Sequence, residues 1–296
     1  MNLIRTILQE KGVLLADGGM GTMLFNAGLK AVEAPERWNL THPDRVAAIH
    51  REYMEAGSRV LLTNTFGGNP FRLASKGPDL SVDEVNHAAV KVLHDVVKNS
   101  EKQILIAGDI GPSGQMLTPY GNLSFEEAAS GFAEQAGALI AGGVDLIWIE
   151  TMADLEEVRA AVGGTRQISH DIPIVITMTF DSKGRTLMGV SPAEAASTLL
   201  SYGAVAVGGN CGKGPEEIVT SIKEMRDAEP EAVLVAKANA GIPTLVDGKP
   251  EYRADPSVMA DYAVEVHKAG AQIIGACCGS TPAHIKAMAE ALEMDA

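Results

Sequence analysis

The chain contains three cysteines, and two of them are adjacent: Cys277 and Cys278 in "GACCGSTP", residues 275–282. The third, Cys211 in "GGNCGKG", lies 66 residues before Cys277. A lone cysteine reads as a small buried hydrophobe. Three that meet in space are a different donor set. Three thiolates with a fourth position left open suit a catalytic zinc ion, whereas structural zinc sites are closed by four ligands. Adjacent residues on a regular strand point to opposite faces. For Cys277 and Cys278 to reach one metal, the backbone must leave the extended form, and the flanking Gly275 and Gly279 are expected to supply that freedom.

Whether the thiols meet depends on the elements that carry them. Eight short apolar runs punctuate the chain: "VLLADGG" from Val13, "RVLLTNTFGG" from Arg59, "ILIAGDIGPSG" from Ile104, "VDLIWIET" from Val144, "IVITMTF" from Ile174, "AVAVGGNCG" from Ala204, "VLVAKANAG" from Val233 and "QIIGACCG" from Gln272. Each is nearly continuous in apolar character, as parallel strands buried on both faces are. Helical patterns lie between them. One is expected to start with Thr41 as its cap and to close on Gly57. Another pairs Ser124 with Glu127 at capping-box spacing. A third has Ser191 as cap, Pro192 at the first helical position, Glu194 at the third and Gly203 after its end, and a fourth begins with Thr281 and Pro282. This alternation predicts an α/β fold, a (β/α)8 TIM barrel forming a single domain over 1–296. A doubly wound sheet is the alternative, but no break in composition marks the switch point it would need. The longest irregular stretch, residues 25–39, is expected to be a loop over the top of the barrel.

In such barrels the chemistry sits where strands end and βα loops begin. The runs end at Asp17, at "TNTFGGN", at Asp109, at Glu150, at Cys211, at Asn239 and at the Cys277–Cys278 pair. Strands six and eight are near neighbours around a barrel, so all three thiols converge. Asp17 can instead cap the "DGG" turn, and Asn239 can simply form a turn. Glu150 closes a strongly apolar strand, so it needs a cationic partner from the protein or from a ligand. The "DGGMGT" glycines offer backbone N–H groups to an anion, without the full dinucleotide fingerprint. "GKG" at 212–214 lacks the spacing of a P-loop. The seven histidines form no metal-spaced pair. His284 is read as a helix residue rather than a ligand.

Composition narrows the partners. Asp and Glu outnumber Lys and Arg by 38 to 24, for a net charge of −14. That balance argues against a nucleic acid or an anionic membrane surface. No run approaches the roughly 20 apolar residues of a membrane span. The N-terminus is broken by Arg5, Glu10 and Lys11 and reads as no secretory signal. A cytoplasmic, reducing compartment is expected, where thiols bind metal or react rather than form bridges. The sequons at Asn39 and Asn122 then carry no meaning.

The motifs "ADGGMGTML", "TNTFGGNPFRL", "IGPSG", "IWIET", "GGNCGKGPEEI", "AKANAGIPTLVDG" and "GACCGSTPAHI" run in order from about Val13 to about Leu292. Together they resemble the homocysteine S-methyltransferase family. "NLTHPDRVAAIHREYMEAG", "PYGNLSFEEA" and "NAGIPTL" are most similar to the homocysteine-binding module of cobalamin-dependent methionine synthase. The resemblance implies Zn²⁺ held by Cys211, Cys277 and Cys278, with the sulfur of L-homocysteine as fourth ligand. A free thiol titrates near about 8.5; coordination would keep it a nucleophilic thiolate that attacks an activated methyl group and yields L-methionine. By the same resemblance Asp17 and Glu150 hold the substrate ammonium, so the cation that Glu150 needs would arrive with the substrate. N–H groups near Gly18 and Gly19 hold the α-carboxylate, and Asn239 can occupy the fourth zinc position before substrate comes.

Two departures bear on the methyl donor. Betaine-dependent members place a tyrosine in the loop after strand two, where this chain has Gly67. The chain also carries an acceptor half without an evident donor half. The synthase-like motifs lean toward a separate methyl-corrinoid protein, with a small sulfonium or quaternary ammonium compound as the alternative. Transfer to another thiol or a selenol, and a non-catalytic zinc- or homocysteine-binding protein, are the competing readings. The open fourth position and the polar strand ends weigh against the last.

Overall fold

The eight apolar runs form eight parallel strands, seen in a computed structural model that describes residues 3–180, 183–242, 244–246 and 249–294. In chain order the strands are β1 (Leu14–Leu15), β2 (Val60–Leu62), β3 (Leu105–Ile110), β4 (Leu146–Met152), β5 (Ile174–Met178), β6 (Ala206–Cys211), β7 (Leu234–Ala238), a hairpin of β8 (Thr244–Val246) and β9 (Lys249–Glu251), and β10 (Ala271–Ala276). The sheet runs β1-β10-β7-β6-β5-β4-β3-β2. A parallel bridge from Ala16 to Val60 brings its two edges together, and Asp17 N donates to Val60 O at 3.1 Å. Helices alternate with the strands, so this is the expected (β/α)8 barrel rather than a doubly wound sheet.

Side chains alternate in and out along each strand with a period of two. Leu105 and Ala107 of β3, Leu146 and Trp148 of β4, and Val233 and Val235 at β7 belong to one buried cluster, the barrel interior. Their neighbours Ile106, Ile147, Ile149, Leu234 and Ala236 belong to the layer between sheet and helices. Extending the inward parity by one step reaches Asp109, Glu150 and Lys237. A packed apolar interior is thus topped, at its C-terminal mouth, by a layer of buried charged groups. The first helix, Leu3–Lys11, adds Ile4, Ile7 and Leu8 to the interior cluster at helical spacing.

Three of the four expected helix starts hold. Ser124 and Glu127 form a reciprocal capping box on Phe125–Gly142. Ser191 accepts from Glu194 N, and Thr281 precedes Pro282–Ala291. Thr41 does not cap: it ends a short helix, Trp38–Thr41, and His42 precedes the helix Pro43–Glu55. Pro43 explains the shift, since proline suits a first helical position and needs no donor satisfied there. Residues 25–39 are also more ordered than expected. They contain the end of the helix Met20–Asn26, the 3-10 turn Pro35–Arg37 and the start of Trp38–Thr41. The hairpin β8–β9 was not expected from the sequence. Among the described residues, no helix is long and apolar enough to cross a membrane.

Candidate metal and substrate site

The three sulfurs converge, with all Sγ atoms within 4.8 Å of one another and Cys211 Sγ 2.9 Å from Cys277 Sγ. Two different backbone devices bring them there. On β6 the inward residue is Asn210, whose Oδ1 accepts from Thr151 N and Thr177 Oγ1, each at 2.9 Å. An extended Cys211 would therefore face the helices. Instead Cys211 is left-handed, with φ 61°, and the chain turns the thiol toward the mouth. On β10, Cys277 continues the inward parity of Ile273. Gly279, with φ 82°, then bends the chain so that Cys278 stays on the same side. Gly275 plays another part than expected. It remains in the strand, and a Cβ there would stand 2.9 Å from Asp17 O and 3.2 Å from Lys237 Cγ, so its bare backbone makes room rather than a bend.

Hydrogen bonds tie the thiol-bearing loops together. Asn239 Oδ1 accepts from Cys278 N at 3.0 Å, and its Nδ2 donates to Gly212 O at 2.8 Å. Both ends of this carboxamide are engaged in bridging the two loops. Ser280 Oγ accepts from Gly19 N at 2.9 Å and donates to Cys277 O at 2.7 Å, which fixes the first βα loop against the last. His284 behaves as a helix residue: Nδ1 accepts from Thr281 N and Nε2 faces Ala254 O, both at 3.0 Å. Crowding localises one thiolate on Cys278, pushed down to about 3 by hydrogen bonds from Cys211 and Cys277. The same contacts hold Cys211 well above the usual thiol range. Thiolates about 2.3 Å from a tetrahedral zinc stand roughly 3.8 Å apart, and the sulfur spacings bracket that value. The donor set and its spacing fit zinc.

Beside the thiols lies a cluster that sequence reading resolved only in part. Lys237 Nζ is 3.3 Å from Asp17 Oδ1 and 3.5 Å from Glu150 Oε2. It also stands 5.2 Å from the centroid of the Trp148 ring. The cation that Glu150 requires is therefore already in the protein, which corrects the expectation that it comes only with a substrate. Lys237 was overlooked inside "VLVAKANAG". Its position two residues after the inward Val235 is the signal that could have found it. Burial pushes Asp17 up to about 6, against the pull of Lys237 and of a hydrogen bond from Leu62 N at 2.8 Å. Burial raises Glu150 as well, again opposed by Lys237. Burial disfavours the Lys237 charge, but Glu150 and Asp17 overcome it and hold the ammonium protonated. Asp109 is raised well above the carboxylate range by burial and by the nearby Glu150.

Thiols and charged cluster share one cavity of about 370 Å³, lined also by Gly18, Gly19, Phe66 and Arg72. Its rim includes Glu36 from the 25–39 segment, 3% exposed, whose Oε1 accepts from Gly67 N at 2.7 Å. That segment lies over the site, as expected. The structure thus brings Asp17, Gly18, Gly19, Glu150, Cys211, Cys277 and Cys278 to one cavity, with Asn239 behind its wall.

Comparison with known proteins agrees with this site. A family model described as homocysteine S-methyltransferase matches residues 14–292. The methionine synthase of Mycobacterium leprae is 31% identical over 307 residues, covering 98% of this chain and 25% of that protein. The methionine synthase of Mycobacterium tuberculosis is 32% identical over 298 residues, covering 95% and 24%. The chain therefore spans about a quarter of the length of these curated relatives. Among solved structures, the oxidized form of the Escherichia coli homocysteine methyltransferase MmuM superposes with a TM-score of 0.83 at 22% identity, covering 98% of this chain and 99% of that one. The metallated form gives 0.80 at 22% identity, covering 96% and 98%. At that identity the likeness speaks for the fold. The match of the family model over nearly the whole barrel settles the relationship: the chain belongs to the homocysteine S-methyltransferase family.

Proposed function

We propose that the chain transfers a methyl group to the thiol of L-homocysteine, giving L-methionine, with Zn²⁺ held by Cys211, Cys277 and Cys278. The observation that carries this reading is the convergence of three thiols from two strand ends on one wall of a cavity that also holds buried carboxyl groups. Bound there, zinc would stabilise the thiolate form of an incoming thiol at neutral pH. The chain's own residues bind and orient the rest of the substrate. Asp17 and Glu150 supply negative charge for its ammonium, and Lys237 keeps the two carboxylates from repelling each other in a dry site. The turn at Gly18 and Gly19 faces the cavity and suits the α-carboxylate, although Gly19 N is already committed to Ser280. Glu36 and Phe66 shield the mouth from water. Asn239 braces the thiol loops. For its oxygen to reach the metal it must give up the bond from Cys278 N.

We assign the donor to a separate methyl-corrinoid protein. Support comes from the synthase-like motifs and from the similarity to mycobacterial methionine synthases. The test is proton release when L-homocysteine is added to the zinc-loaded protein near pH 7. About one proton per zinc is expected, because a thiol must deprotonate to become a ligand. Cys278→Ala should lose the release, and Cys211→Ala should lose tight zinc. Zinc held tightly by the wild type with no proton release on adding the thiol would overturn the proposal.

A further inference from the structure

The cavity holds three carboxyl groups, Asp17, Asp109 and Glu150, and they are not equivalent. Asp17 is fully used: Oδ2 accepts from Leu62 N at 2.8 Å and Oδ1 faces Lys237 at 3.3 Å. Glu150 shares the same lysine at 3.5 Å. Asp109 is held firmly by its backbone, where N donates to Thr63 Oγ1 at 3.0 Å and O accepts from Thr65 Oγ1 at 2.7 Å. Its carboxyl group is 5% exposed, lines the cavity, and has a sealed Oδ1 with no hydrogen-bond partner.

Buried polar atoms in native structures nearly always find a partner, and an orphan at a cavity wall points to a ligand that supplies one. The charge count points the same way. Lys237 is the one cationic side chain within ion-pair distance of these groups among the described residues, and it reaches only two of them. Three acids facing one base leave the cavity short of positive charge and rich in acceptors. The missing partner is a cationic donor small enough for a cavity of about 370 Å³.

We propose that Asp109 is a specificity residue of this site, receiving the ammonium group of the acceptor amino acid together with Glu150, while Asp17 acts from behind through Lys237. The proposal rests on the homocysteine reading above and adds a residue to it. Asp109 follows Ala107 and Leu105 on the inward face of β3, and Glu150 follows Trp148 on the adjoining strand. Asp109 pairs in register with Trp148, so the two carboxyl-bearing positions lie on neighbouring strands at the same mouth. An ammonium between them would satisfy the orphaned carboxyl and lower the excess of negative charge in one step.

The experiment compares binding of two thiols to the zinc-loaded protein by calorimetry: L-homocysteine and 4-mercaptobutanoate, which lacks only the amino group. Wild type should prefer L-homocysteine. Asp109→Asn should shrink that preference at least tenfold, mostly by weakening L-homocysteine, while zinc stoichiometry stays intact. A purely structural role would weaken both thiols alike. If Asp109→Asn does not fold, Asp109→Ser serves, judged by the same ratio. A preference unchanged within twofold in a folded, zinc-retaining variant overturns the role of Asp109 and leaves the homocysteine reading standing. A wild type that binds both thiols equally overturns the ammonium site but not the thiol chemistry. A zinc-loaded wild type that binds neither thiol overturns the homocysteine reading and this inference with it.

Discussion

At the scale of single residues, Asp17 offers a signed test of the charged cluster. Its folded pKa of about 6 lies above the ordinary 3.8 because burial outweighs the help from Lys237 and Leu62. A carboxyl whose pKa is raised on folding binds its proton more tightly in the folded state. It therefore contributes stability that is fully present below about pH 4 and is lost as pH rises through 6. The shift corresponds to about 3 kcal/mol. Asparagine cannot titrate, so urea unfolding of zinc-free wild type and Asp17→Asn should show the balance moving toward wild type by roughly that amount between pH 7 and pH 4. A flat difference, or one of opposite slope, would show that the ion pair rather than burial governs Asp17. The thiols, Asp17 and Glu150 were readable in the sequence because each stands at the end of an apolar run, and a costly residue there calls for a reason. Lys237 was hidden by the same logic: one base inside "VLVAKANAG" passes for a strand interruption until the inward parity of Val233 and Val235 is followed one step further.

The elements show which local rules positioned these residues. Ser124 caps Phe125–Gly142 through a reciprocal bond pair with Glu127, far from the cavity. Ser124→Ala should cost about 1 kcal/mol, seen as a small fall in Tm, with zinc binding and thiol affinity unchanged. Any loss of zinc would mean that this helix steers the site. Strand runs were readable because burial on both faces leaves few polar residues inside them, and serine caps because an N-cap bond is local. Thr41 misled because a proline two residues later, Pro43, starts the helix one turn further on. The left-handed Cys211 could not be read at all. Glycine announces positive φ, whereas a cysteine takes it only because the two neighbouring strands and the bond network of Asn210 hold it there. The 25–39 segment looked irregular since its helical turns are too short to show a period, yet Glu36 within it is bound to Gly67 N at 2.7 Å and helps close the cavity.

On the scale of the whole molecule, the metal site and the fold are separable. The barrel interior and the layer between sheet and helices form two extended apolar clusters, and none of the three cysteines belongs to either. A chain of 296 residues buries enough surface to fold without a metal staple, unlike small zinc modules whose binding energy is their folding energy. Zinc should therefore act on stability only by mass action, adding about 4 kcal/mol at a thousandfold excess over its dissociation constant. Chelation should leave the far-ultraviolet circular dichroism spectrum and a single cooperative unfolding transition in place while Tm falls, and added zinc should restore it. In Cys211→Ala the Tm should not respond to zinc. If chelation instead unfolds the barrel, the three thiols are holding strands β6 and β10 together, and their role would be structural before it is catalytic. The packing makes the first outcome the expected one: β6 and β10 each pair along their length with β7, and Cys277 N donates to Ala238 O at 2.8 Å, so the two strands are joined through β7 whether or not their thiols share a metal.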